Sequence, residues 1–243
     1  MNAPTPEFES PVAHPQEERT FPTPDEYLSE PNLDHGVLYY PGSGTDCGPL
    51  LLFAEHVKNL TVVYTDYNID LVSVNQLLNH LVVWQSGAIQ NLAPQRFGVV
   101  AWADFWHPSA LLPAPNINIP APEISFGIET TLTHANGKKI NFIFLATEAV
   151  GTFSVLANAN LQPTAIVLQD HGFGGNWTSF GGDSELWRLA RVSQTLPDLL
   201  FVAENTNPWT GYECVSNYGI HGCQEHQRRR AVFTLSDYGK ENN

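Results

Sequence analysis

Val37-Leu38-Tyr39-Tyr40-Pro41-Gly42-Ser43-Gly44-Thr45-Asp46, followed by Pro49 to Lys58 and then Leu60-Thr61-Val62-Val63-Tyr64-Thr65-Asp66, is the stretch that decides the fold. The first run is apolar and β-prone and breaks on a turn containing two glycines. The middle segment reads as a helix, and the second run repeats the strand pattern and closes on an acid. Strand, glycine turn, helix and strand in that order form a unit whose strands lie parallel with the helix packed across them.

Outward from this unit the alternation continues. Residues 69–84 place Leu71, Val74, Leu78 and Leu81 at helical spacing, and Phe97 to Trp102 reads as a third strand. Ile124 to Thr133 and Lys138 to Leu145 flank Asn136-Gly137, the dipeptide that accepts the positive φ angles of a tight hairpin turn. A helix near Thr147 to Asn158, a strand over Thr164 to Leu168, a helix over Asp183 to Gln194 and a strand over Leu199 to Ala203 follow, with Ala231 to Leu235 as a further edge strand. The expected architecture is α/β and Rossmann-like: a mostly parallel sheet, helices on both faces, and an inserted antiparallel β-hairpin.

The segment before Gly36 is different in kind. Residues 1–35 contain eight acids against Arg19 alone, half of the net charge of −14 carried by the 243 residues. Seven prolines and few large apolar side chains leave it unable to bury enough surface to offset its ordering entropy. Residues 1–34 are therefore read as a disordered acidic, proline-rich tail, and 35–243 as a single α/β domain. No apolar run is long enough for a bilayer. Three cysteines, Cys47, Cys214 and Cys223, suit a reducing compartment better than a disulfide scaffold. A soluble, cytoplasmic protein is expected, with no membrane partner. The acidic balance disfavours broad binding to phosphate backbones, so nucleic acid enters only through a local patch. Arg228-Arg229-Arg230 is the one candidate run, and a solvated face is the more ordinary reading of it.

In an open parallel sheet, ligands bind beyond the carboxyl ends of the strands. That rule gathers residues distant in sequence: Gly42, Ser43, Gly44 and Asp46 after the first strand, Asp66 after the second, Asp104 and His107 after the third. Asp170-His171 and the glycine-rich stretch to Trp177 follow the next parallel strand, and Glu204 to Trp209, with Asn207, the last. Glycines after a strand permit close backbone approach to a ligand, and an acid ending the next strand accepts hydrogen bonds from ribose hydroxyls. A turn that merely joins strand to helix has the same residues.

Over residues 36–70, Gly42, Gly44 and Asp66 resemble the cofactor site of class I S-adenosylmethionine-dependent methyltransferases, whose loop reads Gly-x-Gly-x-Gly. Asp46 stands here at the third glycine and Tyr40 where an acid is usual. The resemblance implies a nucleoside-containing ligand, S-adenosylmethionine as cofactor held by Gly42, Ser43, Gly44 and Asp66, and methyl transfer. Asn207-Pro208-Trp209 is similar to the Asn-Pro-Pro-Tyr motif of amino-methylating members, with one proline fewer. Asp104, His107, Trp177, Asn207 and Trp209 are the candidate substrate contacts.

A second reading comes from other residues. Asp170-His171 with Asp46 provide carboxylates and an imidazole able to activate water. A glycosidase or DNA-glycosylase-type hydrolase would use them to cleave the N-glycosidic bond of a nucleobase stacked on Trp177, Phe180 or Trp106. Trp106-His107-Pro108-Ser109 is similar to the His-Pro-Ser segment of uracil-DNA glycosylases but stands in mid-chain. Asp170 capping a loop and His171 packing at its edge are the bland alternatives. Cys214, His221, Cys223 and His226 lack a familiar zinc spacing, so no metal is expected. A non-catalytic binding domain of the same fold is the third reading.

Overall fold

The computed structural model describes residues 36–44, 60–66, 89–90, 102, 121–134, 139–158, 161–168, 182–203, 211–219 and 229–236. They hold one nine-stranded sheet and two helices. The strands are β1 (Val37–Pro41), β2 (Leu60–Thr65), β3 (Ile89–Gln90), β4 (Phe126–His134), β5 (Lys139–Ala146), β6 (Ala165–Leu168), β7 (Leu199–Ala203), β8 (Tyr212–Gly219) and β9 (Arg229–Leu235). The helices are α1 (Ala149–Asn158) and α2 (Gly182–Val192). The strand order is β3-β4-β5-β2-β1-β6-β7-β9-β8.

Five neighbouring strands, β5-β2-β1-β6-β7, run parallel. In chain order they stand third, second, first, fourth, fifth, which matches the first five places of the doubly wound dinucleotide-binding sheet. Both flanks are antiparallel: β3 and β4 beyond β5, β9 and β8 beyond β7. The sheet is thus mixed, with four parallel and four antiparallel pairings, rather than mostly parallel. The Asn136-Gly137 hairpin is present as β4 and β5 in register from Phe126↔Ala146 to Thr133↔Lys139.

Two further expectations change. The strand over Ala231–Leu235 belongs to β9, which is interior because β8 pairs along its outer side. The third parallel strand in chain order, among the described residues, is β5, beside β2; of the strand expected over Phe97 to Trp102 only Trp102 is described, and it lies in no strand. The helices expected at 49–58 and 69–84, and the tail, lie outside the described residues.

Alternation along the strands sorts the core into two layers. On one face Tyr39, Val63, Ile143, Leu145, Ile166, Leu168 and Leu200 form a continuous cluster with Phe153 and Leu156 of α1 and Leu186, Leu189 and Ala190 of α2. Both described helices lie against this face. α1 carries no charged residue and is buried along Gly151–Ala157, as an apolar helix between layers must be. Gly151 lets the 121–125 segment close over it, since a Cβ there would stand 2.8 Å from Pro122 Cδ. α2 is amphipathic and stops where Gln194 takes φ 56°, with the Thr195 amide bonded back to Ala190 O at 2.8 Å.

The opposite face is buried as fully. Tyr40, Tyr64 and Phe142, side by side on β1, β2 and β5, meet edge to face, with ring centroids 4.9 Å and 5.2 Å apart. Such pairs add about 0.5–1.5 kcal/mol beyond the area they bury. Phe142 is 0% exposed, so Phe142→Ala removes an aromatic anchor and leaves a cavity. The expected loss is about 3–5 kcal/mol, read as a lower urea midpoint at an unchanged denaturant slope.

Candidate functional site

In open parallel sheets the order of the strands fixes where ligands bind. Chain order reverses at β1, whose neighbours are β2 on one side and β6 on the other, and the carboxyl end of β1 is therefore the switch point. Gly42, Ser43 and Gly44 leave the sheet there. Gly42 has φ 60° and Gly44 φ 52°, a left-handed backbone that glycine adopts without steric cost. A Cβ added at Gly44 meets nothing within 4 Å among the described residues, so conformation, not crowding, requires the glycine. Among the described residues, none stands against the Gly44 backbone on that side.

The corner is tied together from three strands. The Ser43 amide donates to Thr65 O at 3.1 Å, and the Asp66 amide donates to Leu145 O at 3.3 Å. These two bonds continue the contacts of β1 with β2 two residues past the end of β1, and those of β2 with β5 one residue past the end of β2. The Gly44 amide then donates to Asp66 Oδ2 at 3.0 Å. Of the expected site residues, Gly42, Ser43, Gly44 and Asp66 are thus brought to one corner. Ser43 is fully buried, and its Oγ has no hydrogen-bond partner among the described residues. A buried hydroxyl left unsatisfied costs about 1–3 kcal/mol.

Beneath the corner lies Tyr39, fully buried on β1. Its hydroxyl donates to Ala149 O at 2.6 Å and is 3.1 Å from Thr65 Oγ1, joining β1, β2 and the first turn of α1. Burial pushes this phenol well above its ordinary value of 10.0, and the Thr65 hydroxyl offsets only part of the effect. Its task is to hold the floor of the corner in its neutral form.

Glu148 follows β5 and caps α1. Its carboxylate accepts from the Val150 amide at 2.6 Å and the Gly151 amide at 2.7 Å, while Thr147 Oγ1 donates to Glu123 O at 2.7 Å. Two of the four orphan amides of the α1 N-terminus are thereby taken by the chain's own carboxylate. Reading the sequence alone misses Glu148 and Tyr39, because the third parallel strand was expected to end at Asp104 to His107. The signal was present in Ile140-Asn141-Phe142-Ile143-Phe144-Leu145, a nearly continuous apolar run of the type found in strands buried on both faces.

Asp46, Asp104, His107, Asp170, His171, Trp177, Asn207 and Trp209 lie outside the described residues, so the groups on which the hydrolase reading rests have no geometry to set beside this corner. No group of three or more potential metal ligands occurs among the described residues. No helix there is long and apolar enough to cross a membrane.

No family model and no curated protein matches the chain. Among solved structures it is similar to one described as "Putative methyltransferase yhhF from Escherichia coli", at 11% identity and a TM-score of 0.40, over 90% of this chain and 89% of that one. A likeness that distant carries no functional argument, and the case rests on the corner itself.

Two measurements test this account of the corner. Tyr39→Phe leaves the buried Thr65 hydroxyl without its tyrosine partner and is expected to cost about 1–3 kcal/mol in denaturant unfolding. In alkali the unfolded chain loses the Tyr39 proton near pH 10.0 while the folded chain keeps it. Stability therefore falls as pH rises past that value, and Tyr39→Phe removes this part of the fall.

Proposed function

We propose that this chain is a Rossmann-like enzyme that binds a nucleoside-containing ligand in the Gly42–Asp66 corner, with methyl transfer from S-adenosylmethionine as its reaction. The observation that carries the reading is the 3.0 Å bond from the Gly44 amide to Asp66 Oδ2, made at the switch point of the parallel strands. It brings a glycine loop and an acid together where this sheet type binds nucleotides. The doubly wound arrangement, with helices on both faces, and a cytoplasmic setting belong to the same reading.

The residues present fit such a ligand. Among the described residues, nothing stands within 4 Å of a Cβ placed at Gly44, and the buried Ser43 hydroxyl has no hydrogen-bond partner. An ionised carboxylate offers about four acceptor sites, so the bond from Gly44 orients Asp66 without exhausting it. In this scheme Asp66 accepts from ribose hydroxyls, the Gly42-Ser43-Gly44 backbone lines the approach, and Ser43 Oγ donates to a polar atom of the ligand. Bound S-adenosylmethionine supplies an electrophilic methyl group. The chain's part is to hold donor and acceptor in line, which converts a bimolecular encounter into a positioned one. Asp104, His107, Trp177, Asn207 and Trp209 are the residues proposed to hold the acceptor.

The test is thermal unfolding of the full chain with S-adenosylmethionine, for wild type, Asp66→Ala and Asp66→Asn. A ligand at about 100 times its dissociation constant adds about 2.7 kcal/mol, or about 5–10 °C for a domain of this size. Wild type is expected to shift and Asp66→Ala is not. Asp66→Asn, which can still accept from Gly44, separates loss of loop shape from loss of the carboxylate. No wild-type shift at millimolar ligand would remove the methyl-donor reading.

A further inference from the structure

Strand direction puts the chain's basic run at the edge that carries the glycine corner. β9 is antiparallel to β7, with Ala203 opposite Arg230 and Leu199 opposite Thr234. The carboxyl end of β7 therefore meets the amino end of β9, and Arg229 and Arg230 stand on the same sheet edge as Gly42–Gly44 and Asp66. β8 ends there too, with Gly219 opposite Arg229 and Tyr218 opposite Arg230. From this placement we infer that Arg229 and Arg230 form a phosphate-binding end of the ligand edge, and that the substrate is a phosphate-bearing nucleotide or oligonucleotide. The inference rests on the proposed reading of that edge as the ligand edge.

Charge along the edge supports the assignment. Asp66, Glu123 and Glu148 stand at its β2–β5 end, while the described β9 end begins with two arginines, in a chain of net charge −14 with only 11 basic residues. Among the described residues, an anion on this edge meets acids at one end and arginines at the other. The N-terminus of α1, on the same edge, is already engaged by Glu148. Arginine is also the side chain best matched to phosphate, through paired N–H donors in a fixed plane.

Spacing adds a length requirement. β1, β6, β7 and β9 are successive neighbours. Three strand intervals of about 4.8 Å separate the glycine corner from Arg230 by about 14 Å. A bare nucleobase is too short to span that gap, whereas a nucleotide or a short strand reaches across it. The acidic remainder of the molecule excludes general polyanion binding, so the contact is local and few phosphates take part.

The experiment is fluorescence anisotropy of the full chain with a labelled single-stranded oligonucleotide of about twelve nucleotides, at low salt and without methyl donor. Unlabelled nucleoside 5′-monophosphate serves as competitor. Wild type is expected to bind, and the paired change Arg229→Gln with Arg230→Gln to weaken binding about tenfold or more. The paired change is also expected to flatten the salt dependence by about 1.4, the contribution of two phosphates on a single strand. Arg229→Lys with Arg230→Lys keeps the charge and is expected to retain most of the binding. Should the glutamine pair not fold by circular dichroism, Arg229→Gln and Arg230→Gln taken singly provide the same comparison. Full competition by the monophosphate assigns the site to a nucleotide, and failure to compete assigns it to a strand. Equal binding by wild type and the glutamine variants overturns the inference, as does a wild type that binds neither probe. Because no methyl donor is present, oligonucleotide binding without any S-adenosylmethionine shift would retain the arginine site and reject the methyltransferase reading, and the reverse pattern would do the opposite.

Discussion

The described architecture depends on β1 being hydrogen-bonded on both sides by parallel neighbours. Five residues, Val37 to Pro41, pair with β2 along their whole length and with β6 through Leu38 and Tyr39. All five are buried. Parallel ladders require both faces of a strand to be covered, and β1 meets the condition with Tyr39 toward one layer and Tyr40 toward the other. Once β1 is central, chain order must reverse at its end, and the opening beyond Pro41 is a consequence of topology before any side chain is considered.

The polar groups around that opening form one connected support. Tyr39 fastens the strand ends to α1 from below, Asp66 fastens the glycine loop from the side, and Glu148 satisfies the helix that faces them. Each of these bonds is worth about a kilocalorie per mole on its own, or somewhat more where a carboxylate takes part. Their value lies in geometry, since each joins a different pair of elements. The loop conformation is set before any ligand arrives, and a preset loop avoids the ordering cost that a flexible one would carry into binding.

Much of this was legible in the sequence because local signals coincided with tertiary ones. The run Val37 to Tyr40, the turn at Gly42 and Gly44, Asp66 at the end of β2, and Asn136-Gly137 between β4 and β5 each announce themselves through short-range chemistry. The misreadings share a cause. Which strand lies beside β2 is decided by long-range pairing, and nothing local distinguishes Lys139–Ala146 returning from a hairpin from a strand reached through a helix. β8 escaped notice because Tyr212-Glu213-Cys214-Val215-Ser216-Asn217-Tyr218-Gly219 lacks the sustained apolar alternation that marks a strand. From sequence β9 therefore reads as an edge. Nothing local marks Glu148 either: its place at the carboxyl end of the parallel strands follows from β5.

The position of β1 also has a consequence for how the chain reaches its fold. The β4–β5 hairpin closes locally, and β6 and β7 pair across a single helix. β1, however, meets its second partner only when Val37 and Thr164 come together, a separation of 127 residues bridged by the Val37 amide on Thr164 Oγ1. Contacts so distant along the chain are slow to form, because the intervening segment must be closed before they contribute anything. During synthesis β1 emerges well before β6, and its β6 side stays open until the 127 residues after Val37, up to Thr164, have followed. A fully apolar strand with an unpaired edge through that interval is an aggregation hazard, and the charged, proline-rich segment immediately preceding it works against self-association.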